Sequence, residues 1–214
     1  MIRQFVRMKL SKKISILLGV MILVLVVWFG ITAKRNLGRE PRNVLFIIVD
    51  TLRSDHLGCY GYKKIKTPNI DSLARQGALF KNVISQVPLT LPSHSSLFTS
   101  TYPQFNNVRD NGSYHLDQSA ITLAEIMQEN VYTTAAFVST FVLDSRFGLD
   151  QGFETYFETY DDRMQKMTGK RIIELMDEER TADKVTDAAI KWLRDNKDEK
   201  FFLWVQEGQD SQHR

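Results

Sequence analysis

Residues 88–100 read PLTLPSHSSLFTS, which sets Thr90 between two prolines and places Ser93, His94 and Ser95 just after it. Pro88 and Pro92 stiffen the backbone on either side of the Thr90 hydroxyl. Residues 93–99 read as a short helix opening at Ser93, whose N-terminal amides would favour an anion. His94 could bring positive charge to the same place. A second candidate stands upstream: Asp50 follows six apolar residues, VLFIIV, and a carboxylate there needs a cation, a donor set or solvent. A hydroxyl nucleophile beside a metal-binding carboxylate suits attack on the phosphorus or sulfur of an anionic ester. Taken alone, each segment also has a plain reading: an N-cap loop for Thr90, a cap at the strand end for Asp50.

Neighbouring polar groups divide in the same way. Arg53 is either an anion contact or half of a surface ion pair with a nearby acid. His56 reads as a surface or capping residue. Asn111, within VRDNG at 108–112, either forms a turn with Gly112 or donates to a substrate oxygen. Cys59 is the one cysteine, so no intrachain disulfide and no thiolate cluster can form. It reads as a small, half-buried residue.

The elements that must hold these residues follow from pattern. Residues 43–49 form a continuous Val/Ile-rich run, too short for a helix, and read as a buried parallel strand. Thr67-Pro68 opens a helix that Gly77 ends. A second strand is expected at 78–84, a helix at 122–129 with Leu123, Ile126 and Met127 on one stripe, and a strand at 133–138. An amphipathic helix at 181–196 turns Val185, Ala188, Ala189 and Trp192 inward, and KFFLWV at 200–205 is another buried strand. Strands alternating with helices predict an α/β fold with a mainly parallel sheet flanked by helices. In such sheets the chemistry gathers beyond the carboxyl ends of the strands, where both Asp50 and PLTLPSH fall.

Before all this, residues 14–33 run for twenty residues without a charge, enough at 1.5 Å per residue to cross about 30 Å of hydrocarbon. Five basic residues precede the run and Trp28 and Phe29 lie near its far end, as in a transmembrane signal-anchor. The alternative, a cleaved signal peptide, fits the long apolar run and the lack of an A-x-A site less well. Residues 1–13 are then a basic cytoplasmic N-terminus and 34–42 a linker. The domain after them is expected to be exported, on the periplasmic or extracellular side of a single-pass membrane protein. The net charge of +3 is small and concentrated near the N-terminus, and no motif supports nucleic-acid binding.

The ordered set VLFIIVDTLRSDHLGCYGY, TPNIDSLARQGALFKN, PLTLPSHSSLFTSTYP, VRDNG and RFGLDQGFE resembles sulfatase-like hydrolases of the alkaline phosphatase superfamily over residues 43–205. The resemblance implies an alkaline phosphatase-like fold, an anionic ester substrate and a divalent ion (calcium, magnesium, manganese or zinc). It implies that Asp50 and Thr90 are metal ligands and that Thr90 takes the place of the Cys or Ser of C-x-P-S-R. His94 stands in for that signature's Arg, and Asn111 falls where related enzymes contact the transferred or leaving group. Thr51 replaces a second acid often found beside the first aspartate. Formylglycine is not expected, because oxidation of a threonine carbon that carries a methyl stops at a ketone. Related phosphoglycerol and phosphoethanolamine transferases use threonine directly, so the resemblance implies a covalent intermediate on Thr90. After residue 205 the sequence QEGQDSQHR departs from the family pattern, which normally continues with further metal ligands. Residues 43–205 therefore read as a partial, incomplete sulfatase N-terminal domain and 206–214 as a non-matching tail. The alternative function is a truncated, inactive fragment or pseudoenzyme of the same family.

Overall fold

The computed structural model describes residues 19–26, 28, 43–158 and 182–208. The chain divides into two units, Met1–Arg42 and Asn43–Arg214. In the first, residues 19–26 and Trp28 are helical. Among the described residues no helix is long and apolar enough to cross a membrane. The rest of the expected anchor at 14–33 lies outside the described residues.

The second unit is built on four parallel strands: β1 (Val44–Val49), β2 (Thr133–Val138), β3 (Thr155–Phe157) and β4 (Phe201–Glu207), in the order β1-β4-β2-β3. The most fully buried strand, β4, lies inside the sheet, as a strand buried on both faces should. Its alternate side chains serve two cores. Phe202 and Trp204 face a cluster with Leu91, Phe98, Val138 and Leu149, whereas Leu203 and Val205 face one with Phe137, Val185 and Ala189. Burying each of these large side chains is worth roughly 1.5–3 kcal/mol. The strand expected to stop at residue 205 runs two residues further, because Gln206 and Glu207 pair with Ile48 and Val49. The short β3 within FETYFE carried no sequence signal beyond three alternating residues.

The described residues of this unit also form five α-helices: α1 (Pro68–Gln76), α2 (Thr90–Thr99), α3 (Pro103–Asn106), α4 (Leu123–Glu129) and α5 (Ala182–Asp195). Helix α2 starts at Thr90, three residues earlier than its sequence suggested. Pro92 falls in the first turn, where its missing N–H breaks no intrahelical bond. Thr122 caps α4 through a reciprocal capping box with Glu125. Ile126, expected to face inward with Leu123 and Met127, is 45% exposed instead.

The strand expected at 78–84 does not form. Residues 78–84 pair with no strand, and Phe80, Val83 and Ile84 are exposed. Strand propensity is realised only beside a partner, and among the described residues none pairs with this segment. At the sheet's edge, β1 packs Val44, Phe46 and Ile48 against the first core while Leu45, Ile47 and Val49 on its other face are exposed.

Candidate active site

Asp50 and Thr90, forty positions apart in sequence, meet at the carboxyl end of the sheet. The Asp50 N–H donates to the Glu207 carbonyl at 2.9 Å, which extends the β1–β4 ladder by one bond and fixes where the carboxylate leaves the strand. Strand alternation places the Asp50 side chain on the same face as Phe46 and Ile48, the face that α2 covers. Helix α2 is held there by its own apolar residues: the Phe98 ring lies 4.5 Å from that of Trp204 and 5.9 Å from that of Phe46. Asp50 Oδ2 then accepts a hydrogen bond from Thr90 Oγ1 at 3.1 Å, and Asp50 Oδ1 one from the Thr51 N–H at 2.9 Å.

The peptide group that joins Thr90 to Leu91 is held at both ends. Its carbonyl accepts from Ser93 Oγ at 2.9 Å and from His94 Nδ1 at 2.8 Å. Its N–H, on Leu91, donates to Asn111 Oδ1 at 2.9 Å. The structure thus brings together all four residues singled out in the sequence: Asp50 at the hydroxyl of Thr90, His94 and Asn111 at its peptide.

Two expected roles change as a result. His94 is not an open charge at the helix start but a buried ring: it is 4% exposed, and burial pushes it below the usual imidazole range, outweighing the Thr90 carbonyl and the Asp50 charge that pull it up. Since a carbonyl only accepts, Nδ1 carries the proton. The other nitrogen, Nε2, is buried without a hydrogen-bond partner beside the Trp204 ring, whose centroid is 5.6 Å from that of the imidazole. Nor do the amides that follow Thr90 in the first turn of α2 stand open to an anion as expected. Leu91 N–H is taken by Asn111, Pro92 has none, and Ser93 N–H donates to the Leu89 carbonyl. Asn111 lies in a turn, as its Asn-Gly pair suggested, and its side chain also reaches the site.

Arg53 and His56 have partners of their own away from the Asp50–Thr90 pair. Arg53 pairs with Asp55 at 2.7 Å on the exposed surface, and this hydrogen-bonded partner raises the guanidinium further. His56 stacks on Tyr62. Sequence reasoning missed the clasp that fixes this loop. The Asp71 carboxylate accepts from Cys59 N–H at 2.6 Å and from Thr67 Oγ1 at 3.0 Å, while Thr67 Oγ1 accepts from Gly58 N–H. It also missed Gln206, whose buried Oε1 accepts from both the N–H and the hydroxyl of Ser139. A glutamine carries no signal by itself; only the fold gives it partners.

Asp50 and Thr90 offer one carboxylate and one hydroxyl to a cation. Among the described residues no group of three or more His, Cys, Asp or Glu side chains could hold a metal ion. A tight divalent site takes more ligands than these two residues provide.

The chain is a parallel α/β sheet with a hydroxyl and a carboxylate meeting at its carboxyl end, and comparison with known proteins gives the family. The Sulfatase family model matches residues 42–209, and the chain belongs to this family. It is 35% identical over 127 residues to the iduronate 2-sulfatase of Homo sapiens, covering 58% of this chain and 23% of that protein. It is 28% identical over 169 residues to an N-acetylglucosamine-6-O-sulfatase of Bacteroides thetaiotaomicron, covering 76% of this chain and 29% of the relative. The chain therefore spans less than a third of the length of these relatives. Among solved structures, BT4656 in complex with its substrate D-glucosamine-2-N,6-O-disulfate superposes with a TM-score of 0.62 at 23% identity, covering 82% of this chain and 35% of that one. The phosphonate monoester hydrolase of Agrobacterium radiobacter gives a TM-score of 0.61 at 23% identity, covering 79% and 41%. Sulfatases of this family are generally metal-dependent hydrolases.

Proposed function

We propose that the chain carries the nucleophile half of a membrane-anchored, metal-dependent sulfatase-family hydrolase or transferase. Thr90 Oγ1 attacks the sulfur or phosphorus of an anionic ester. The observation that carries this reading is the hydrogen bond from Thr90 Oγ1 to Asp50 Oδ2, which aims the hydroxyl at a carboxylate able to take its proton. A new O–S or O–P bond forms at Oγ1 as the bond to the ester oxygen breaks, and the Thr90 proton passes to Asp50 and from it to that oxygen, which departs as the alcohol. Water, or an acceptor alcohol, then displaces the group from Thr90 and restores the hydroxyl. The metal would complete a site to which this chain contributes Asp50 and Thr90, and no step is assigned to it here. The iduronate and N-acetylglucosamine sulfatases speak for sulfate esters. The phosphonate monoester hydrolase neighbour and the threonine speak for phosphorus. The apolar run at 14–33 anchors the protein in a bilayer with this domain exported.

The test is turnover of p-nitrophenyl sulfate, p-nitrophenyl phosphate and a p-nitrophenyl phosphodiester by the purified chain across a panel of divalent ions. Turnover that disappears in Thr90→Ala, with a covalent adduct on Thr90 seen by mass spectrometry in the parent, is the expected result. Equal turnover in Thr90→Ala, or none from folded protein with any ion, refutes the proposal.

A further inference from the structure

We infer that Ser93, His94 and Asn111 act together as positioning residues for Thr90, clamping the Thr90–Leu91 peptide from both ends, with His94 working through its Nδ1–H. This rests on the reading of Thr90 as nucleophile and says how its aim is held. The direction of the Thr90 hydroxyl depends on the Cα–Cβ bond, whose orientation follows from the backbone dihedrals of that residue. Thr90 is the first residue of α2, where helices fray because the first N–H groups lack intrahelical partners. Three side chains from two separate segments remove that freedom: two donors on the Thr90 carbonyl and one acceptor on the Leu91 N–H. Once the peptide plane is fixed, the Oγ1–Asp50 Oδ2 bond needs only the Thr90 χ1 rotamer.

Back-bonding by a helical serine to the preceding turn is common and by itself says nothing. The histidine is different. Its ring is nearly fully buried against Trp204, and Nε2 has no partner there, a cost that Leu or Phe would avoid. Its polar contact is the one to the Thr90 carbonyl. Asn111 adds a second independent restraint. Because an N–H can donate only to Oδ1, the amide cannot flip, and its Nδ2 is turned away from the Leu91 N–H.

Two measurements on the full chain test this, one of them independent of turnover. In the first, ¹⁵N NMR of the imidazole is expected to show the Nδ1–H tautomer. Hydrogen exchange of the Leu91 amide is expected to be slow in the parent and at least tenfold faster in Asn111→Ala. In the second, kinetics of variants are compared on the ester that the parent prefers. His94→Phe keeps the volume and the Trp204 contact but loses the donor. It is expected to lower kcat by about 10²-fold, the scale of a small misplacement at a reacting centre, with KM nearly unchanged. His94→Asn, which can return an N–H near the place of Nδ1, is expected to recover most of that loss. An Nε2–H tautomer, Leu91 exchange insensitive to Asn111→Ala, or a His94→Phe enzyme with normal kcat each overturn the inference. A parent that shows both NMR signatures but no turnover refutes Thr90 as nucleophile, and the positioning role with it, while a failed clamp in an active enzyme refutes the clamp alone.

Discussion

Two glycines separate backbone conformation from available space, and the pair gives a sharp test of the fold. Gly152 and Gly112 have nearly the same left-handed φ, +83° and +80°. A Cβ on Gly112 would meet nothing within 4 Å, whereas one on Gly152 would collide with the backbone of Ala124 and Glu125 in the first turn of α4. That turn cannot easily give way. Thr122 Oγ1 bonds the Gln151 carbonyl at 2.9 Å and Thr134 Oγ1 the Gly152 carbonyl at 2.7 Å, so the segment is pinned to both α4 and β2. An alanine in the left-handed region costs about 1–2 kcal/mol. Forcing a methyl into packed backbone adds about 1–3 kcal/mol. Gly112→Ala should therefore lose about 1–2 kcal/mol and Gly152→Ala about 2–5 kcal/mol. The assay is urea unfolding of the full chain followed by the fluorescence of its tryptophans. At a slope of about 2 kcal/mol/M, the Gly152→Ala midpoint should fall by roughly 1–2.5 M, well beyond that of Gly112→Ala. Equal shifts in the two variants would refute the close approach of the GFE segment to α4.

Two further outcomes follow from charge and exposure. Burial raises the Asp150 carboxyl above its ordinary 3.8, its own backbone amide opposing and the Glu158 charge adding to the rise. The folded state thus holds this proton more tightly than the unfolded chain, and stability from this group falls as pH rises through 3.8 and the raised folded value. Asp150→Asn should melt higher than the parent at neutral pH and converge with it below pH 3.8, as read by thermal melts across pH. On the outer face of β1, Leu45, Ile47 and Val49 are 48%, 53% and 38% exposed, and among the described residues β1 is an edge strand. Residues 43–214 alone should self-associate in sedimentation velocity, and Ile47→Lys should shift them toward monomer. A monodisperse parent would count against that.

Much of this was legible in the residues because the signals are local. Apolar runs of six or seven residues gave β1 and β4, and Thr67-Pro68 with Gly77 gave the bounds of α1. The apolar spacing of Leu123 and Met127 marked α4, and the order of the motifs pointed to the family. The same local signals misled where a partner was required: residues 78–84 have strand composition but no neighbour to pair with, and β3, too short to stand out, exists because β2 lies beside it.

Within the site, the sequence identified Asp50, Thr90, His94 and Asn111 by type and by their place after strands and prolines. What they do to one another came from the tertiary structure. Packing of Phe98 and Trp204 brings α2 onto the sheet, and this sets the Thr90 hydroxyl against a carboxylate forty residues away. The same packing buries His94. A histidine that reads as a charge in one dimension is a buried donor in three, because taking the imidazole out of water next to an indole disfavours its charged form more than the Thr90 carbonyl and the Asp50 charge favour it.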